Sequence, residues 1–123
     1  MDDLTTRLVD LKQMVRQFSE ERDWDQFHNA KDLAIGIVTE ASELLEIFRF
    51  KSDADVESIF ANDESAKRVR EELADIFYFA LRLAQRYDID VSRALKAKIE
   101  ENSKKYPVKK AKGSNKKYTE FEK

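Results

Sequence analysis

A chain of 123 residues with a formal net charge of −2 at pH 7 is the length of one domain and can bury a modest core. Two glycines, one proline and 39% charged residues disfavour a turn-rich β fold and predict an all-α protein, while 41% apolar residues exclude wholesale disorder. With no cysteine, disulfides, thiolate metal sites and a cysteine nucleophile are excluded, which fits a reducing compartment.

Apolar residues at spacings of three and four (Leu4, Leu8, Leu11, Val15, Phe18) predict a first helix from about Asp3 to Glu21. The polar and aromatic stretch RDWDQFHNAK reads as a connection. Asp32 is the expected N-cap of a second helix, Leu33 to Phe50, with Leu33, Ile37, Ala41, Leu44 and Phe48 on one face. KSDADVESIFAND is a polar insertion with one or two helical turns after Asp53. A third helix is expected from Asp63 to Tyr87, and its centre, Leu73 to Leu83, reads as apolar nearly all round. Such a helix must be covered on every side, either by a partner subunit or at the centre of a monomeric bundle. Asp90 is the expected N-cap of a fourth helix, Val91 to Lys105, which Pro107 stops. Residues 1–106 thus form the expected helical domain and 107–123 a tail or strap.

Charge is unevenly spread. Lys104 to Lys117 carries seven lysines and no acid, whereas residues 1–103 hold 15 basic and 23 acidic residues. The acidic body would repel a nucleic-acid backbone, so the tail reads as a solvated segment or a contact for a small anion. No window approaches the roughly 18 consecutive apolar residues of a membrane span. The acidic, amphipathic N-terminus is unlike a secretory leader, and a soluble cytoplasmic protein with no membrane partner is expected.

Two helices carry paired carboxylates. Glu40 and Glu43, three apart, project side by side next to the apolar stripe of the second helix, with Glu46 one step further. Glu72 and Asp75 repeat the spacing against the apolar centre of the third, with Glu71 turned toward solvent. Either pair alone would fit a solvated helix face. Two pairs flanked by core positions on neighbouring antiparallel helices fit a shared cation as well as a solvated face, because unpaired charges near a core are costly and call for protonation or a cation. Oxygen-only ligands suit a hard ion, Mg²⁺ above all. The single histidine, His28, does not follow a glutamate by three residues, which argues against a di-iron bundle.

Lys98, Asn102 and Lys105 form a polar, basic stripe on the fourth helix, with Tyr106 at its end. It suits either a triphosphate or plain solvent with Glu101 as counter-charge. Lys51 closes the second helix, where a cation also complements the helix dipole. Trp24, Phe27 and His28 can stack on a base or seal the end of the bundle. Phe50 and Phe79 read as core residues.

The ordered set RDWDQFHNAKDL, EASELLEIFRFKSD, EELADIFYFALRLA, KIEENSKKYP and KGSNKKYT resembles the MazG-like nucleotide pyrophosphohydrolases, nearest the small dCTP pyrophosphatase branch, from about Phe18 to Tyr118. The resemblance implies a four-helix bundle of the MazG-like type, assembling as a dimer or a dimer of dimers with active sites at subunit interfaces. It implies that Glu40, Glu43, Glu72 and Asp75 are the catalytic Mg²⁺ ligands. Trp24 and His28 would close over base and sugar, with Phe50 in a base-stacking position and Phe79 beside the base. Lys51, Lys98, Asn102, Lys105 and Tyr106 would surround the phosphates or the rim of the site. The chain departs from the dCTP-preferring members at Phe50, where tryptophan is usual, at Phe79, where tyrosine is usual, and at Val15, where histidine is usual. Thr39 stands where some MazG relatives carry an extra acid. Fewer polar atoms near the base weaken cytosine selectivity and leave the preferred substrate open. The implied reaction is Mg²⁺-assisted hydrolysis of a nucleoside or deoxynucleoside triphosphate, with dCTP a candidate, to the monophosphate and pyrophosphate; Glu46 and Glu43 are the candidates for general base. The competing reading is a non-catalytic helical module that binds a protein or nucleic acid.

Overall fold

The computed structural model describes residues 1–122; Lys123, the last residue of the expected tail, lies outside the described residues. The fold is all-α, with no strand among the described residues. Helices run α1 Leu8–Glu21, α2 Ala30–Phe48, α3 Asp53–Ala61, α4 Asp63–Arg86, α5 Val91–Lys105 and the single turn α6 Val108–Ala111. Two short 3₁₀ turns lie at Asp25–Phe27 and Tyr118–Glu120. The chain separates into two compact units, Met1–Ile89 and Asp90–Lys123.

Two expected helix starts move, each for a local reason. The first helix starts at Leu8 rather than Asp3. The Asp2 carboxylate accepts from the Leu4 and Thr5 amides at 3.0 Å each and holds residues 2–5 in a turn. Side-chain competition of this kind stops helix propagation, and Leu4 is left exposed. The α2 N-cap is Asn29 rather than Asp32: its Oδ1 accepts from the Asp32 amide at 2.8 Å, so the helix begins one turn earlier. The expected turns after Asp53 are the nine-residue helix α3, started by a reciprocal Ser52–Asp55 capping box. The α5 limits and its Asp90 cap fall as expected, with Asp90 Oδ1 accepting from the Arg93 amide at 2.9 Å.

Positive φ angles mark four helix ends, one of them at Gly113 (φ 73°) after α6. Asp23 (φ 54°) and Asp88 (φ 53°) follow α1 and α4. There the Trp24 and Ile89 amides donate back to Ser19 and Ala84 carbonyls at 3.0 and 2.9 Å. Aspartate tolerates this left-handed conformation and serves where glycine is usual. Phe50 (φ 64°) occupies the same region after α2 without that tolerance.

Within the first unit α4 packs most extensively on α2 and also against α1 and α3. Leu33, Ile47, Leu81 and Ala84 are the buried apolar side chains among the described residues. Half-buried Ile37, Leu44 and Phe48 extend the α2 stripe. Ala41 is exposed, and the inward line runs instead through Gly36, Glu40 and Ile47. On α4 it runs through Val69, Glu72, Ile76, Phe79 and Leu83. Glu40 and Glu72 therefore sit on the buried lines themselves.

Gly36 permits the α2–α4 approach. A Cβ there would lie 2.5–2.8 Å from three ring atoms of Phe79. Large apolar side chains stay uncovered on the outer faces: Ile35, Val38 and Leu45 on α2, Leu73 and Phe77 on α4. The apolar centre of α4 is thus only partly buried within the single chain.

Candidate functional site

Helical geometry carries Glu40 and Glu43 on α2 toward Glu72 on α4, since both helices present these carboxylates on or beside their packed faces. One carboxylate oxygen from each of the three lies within 4.8 Å of the others. Glu40 and Glu72 each bury an oxygen, Oε2, that has no hydrogen-bond partner. Asp75, one step along α4, is exposed and lies outside this group of three, yet its charge acts on the half-buried Glu40 and Glu72 carboxyls.

The electrostatics follow from that crowding. Burial, then hydrogen bonding and repulsion from Glu43, then repulsion from Asp75, push the Glu40 carboxyl up from 4.5 to about 7. Glu72 is raised for the same leading reasons, burial first and Glu43 next. The cluster must hold protons or a cation. Three carboxylate oxygens face one another, which is the donor set of a hard ion, and ligands of an octahedral Mg²⁺ stand about 3.0 Å apart when adjacent and about 4.2 Å when opposite. The three oxygens, all within 4.8 Å of one another, lie near that span. The residues fit such an ion.

Neighbouring acids are otherwise engaged. Glu46 pairs with Arg49 at 3.2 Å and Glu71 with Lys67 at 3.6 Å, both on the solvent side. Phe50 is a correction to the sequence reading: it is no core residue but 92% exposed, because α2 ends at Phe48 and the left-handed turn throws its ring outward. The Arg49 guanidinium lies 4.6 Å from the Phe50 ring centroid. Lys51 is exposed just past the helix end, its amide donating to the Phe48 carbonyl at 3.1 Å. Phe79 is half-buried against Gly36 and meets Tyr78 edge-on at 5.2 Å.

Trp24 and His28 flank the 3₁₀ turn Asp25–Phe27. Trp24 packs edge-on against Phe18 (5.6 Å) and His28 (6.0 Å) and keeps about a third of its surface exposed (36%). In the second unit, Lys98 and Lys105 both pair with Glu101, at 3.7 and 3.4 Å. Asn102 and Tyr106 are half-buried, Tyr106 edge-on against Tyr118 and Phe121.

Sequence reasoning missed one group. Arg82, inside the run read as apolar all round, is wholly buried and donates Nε–H to His28 Nδ1 at 3.0 Å. It also bonds Gln85 and forms an ion pair with Asp25, which Arg86 joins at 3.3 Å. Nearby, Ser19 Oγ links the Val15 carbonyl (2.6 Å) to the Tyr78 hydroxyl (2.7 Å), tying α1 to α4. The available signal was an arginine amid FYFALRLA, where a buried charge demands a partner.

Comparisons with known proteins identify the family. A family model described as MazG-like matches residues 35–121, which span Glu40, Glu43, Glu72 and Asp75. The chain is 36% identical to dCTP pyrophosphatase 1 of Rattus norvegicus over 114 residues, covering 93% of this chain and 67% of that protein. It is 34% identical to dCTP pyrophosphatase 1 of Homo sapiens, with the same shares covered. Among solved structures, a pyrophosphatase from Archaeoglobus fulgidus superposes with a TM-score of 0.76 at 31% identity, over 87% of this chain and 98% of that one.

Proposed function

Because the chain belongs to the MazG-like family, we propose that it is a cytoplasmic, Mg²⁺-dependent enzyme that hydrolyses a nucleoside or deoxynucleoside triphosphate, with dCTP a candidate, to the monophosphate and pyrophosphate. It is a nucleotide pyrophosphohydrolase by family and by relatives. The observation that carries the metal-assisted reading is the convergence of Glu40, Glu43 and Glu72 with two buried, unpartnered oxygens.

In this reading Glu40, Glu43, Glu72 and Asp75 are the catalytic carboxylates and the metal ligands. Bound Mg²⁺ supplies charge neutralisation on the triphosphate and acidifies an attacking water. Glu43, exposed at the mouth of the cluster, takes the proton as water attacks the α-phosphorus in line. Glu46 is the less favoured base, since Arg49 already holds it. Trp24 and His28 border the base and sugar, Phe50 stacks on the base, and Phe79 shapes the floor against Gly36. Lys51, Lys98, Asn102, Lys105 and Tyr106 are assigned to the phosphates or to the rim of the site. Residues 1–106 act as the hydrolase domain and 107–123 as a basic strap. A homodimer or homotetramer covers the exposed apolar residues of α2 and α4 (Ile35, Val38, Leu45, Leu73, Phe77). No nucleic acid or membrane partner is required, and no helix among the described residues is long and apolar enough to cross a membrane.

Purified protein incubated with Mg²⁺ and each dNTP tests the assignment by product analysis. Monophosphate and pyrophosphate are expected. Diphosphate with orthophosphate would contradict the proposed bond cleavage.

A further inference from the structure

The polar cluster around Arg82 lies apart from the carboxylates and asks what a buried, permanently charged guanidinium does there. Arg82 is 0% exposed and His28 8% exposed. A guanidinium donates five hydrogens and accepts none, so the imidazole nitrogen that meets Arg82 Nε at 3.0 Å must present a lone pair. That nitrogen is Nδ1. The only proton left to a neutral imidazole is then on Nε2, which makes no hydrogen bond among the described residues. Protonating Nδ1 would set N–H against N–H and place a second cation beside Arg82 in a buried site.

We propose that Arg82 is a positioning residue that fixes His28 as a neutral imidazole protonated solely on Nε2, so that the 24–28 connection offers a ligand a constant hydrogen-bond donor.

The surroundings agree from each packed element. Arg82 and Arg86 face the ring from α4, Asp25 from the 3₁₀ turn and Asp32 from the first turn of α2. Burial is the largest influence and holds the imidazole below its ordinary value, with Arg82 next in the same direction; Asp25 opposes it and does not prevail. Asp25 instead neutralises the buried guanidinium, with Arg86 on its other oxygen. One arginine therefore pins the turn through Asp25 and sets the ring through His28. A lysine could not serve all these partners from one point charge. The partner for such a donor is an acceptor atom, an oxygen or ring nitrogen of a base or an oxygen of a sugar, and not a donor amine.

The chain has one histidine, so its imidazole signals are unambiguous. Long-range ¹H–¹⁵N spectra at about pH 7 should show Nδ1 unprotonated and Nε2 protonated, with a titration midpoint below 6.5. Arg82→Met should raise that midpoint, because Asp25 would face the ring without Arg82. Asp25→Asn, which leaves Arg82 in place, should lower it. A ring protonated on Nδ1, a midpoint at or above 6.5, or no response of tautomer and midpoint in folded Arg82→Met overturns the proposal. Should Arg82→Met fail to fold, the wild-type spectrum alone still decides.

The ligand's part in this proposal rests on the pyrophosphohydrolase reading. A non-hydrolysable dNTP with Mg²⁺ should shift the Nε2 resonance. An active enzyme whose Nε2 ignores the bound analogue overturns the donor role. Absence of any dNTP hydrolysis would overturn the hydrolase reading instead, with the tautomer decided independently.

Discussion

Replacing Glu40 with glutamine tests the electrostatic argument most directly. In the metal-free protein the Glu40 carboxyl is raised from 4.5 to about 7, foremost by burial. Between those values the native state binds more protons than the unfolded chain, so stability falls as pH rises through the window and levels off above it. The full shift corresponds to about 3 kcal/mol at about 1.4 kcal/mol per tenfold. Glu40 is only half-buried, and solvent screening reduces this to on the order of 1–2 kcal/mol. Glutamine is shaped like the protonated acid and carries a donor for Glu43 or Glu72. Glu40→Gln should therefore stabilise the metal-free protein by about 1–2 kcal/mol at about pH 8, or roughly 4–8 °C in Tm for a chain of this size. Near pH 4.5, where wild-type Glu40 is already neutral in the fold, the difference should nearly vanish. Millimolar Mg²⁺ should raise the wild-type Tm more at high pH than at low pH, and the variant should lose that linked gain. Melting curves at the two pH values, with and without Mg²⁺, read all of this. A variant less stable than wild type at about pH 8 without metal, or a difference independent of pH, would refute the reasoning.

Glu43→Gln and Asp75→Asn should each abolish turnover while helical content by circular dichroism stays near wild type; wild-type rates in both would mean the site is misassigned. Gly36→Ala sets a methyl 2.5–2.8 Å from the Phe79 ring. The clash should outweigh the helix-propensity gain and destabilise the fold by about 1–2 kcal/mol in urea titration. Phe50→Gly removes an exposed ring from a left-handed backbone (φ 64°). Stability should hold or rise by up to about 1 kcal/mol, while KM for the triphosphate rises; an unchanged KM would remove Phe50 from the base site.

Much of the architecture is written in local chemistry. The 3.6-residue periodicity and side-chain caps place α5 at its observed limits and α2 and α4 within a few residues of theirs, because capping and apolar spacing act over a single turn. Paired spacing alone brings Glu40 beside Glu43 and Glu72 beside Asp75. The misplaced start of α1 and cap of α2 came from equally local competition between Asp2 or Asn29 and the backbone, which periodicity does not register.

Other features depend on which helix faces which. That Glu40 and Glu72 lie on the inward lines, and so crowd and shift each other's protons, follows from the close α2–α4 approach over Gly36. Arg82 acquires its meaning only when α4 packs against the 24–28 connection, bringing together residues 54 and 57 positions apart in the chain. Phe50 turns outward rather than inward because α2 stops two residues before it. Composition and spacing specify helices and the chemistry they carry; burial, charge repulsion and tautomer are properties of contacts between distant segments, and only the packed chain decides them.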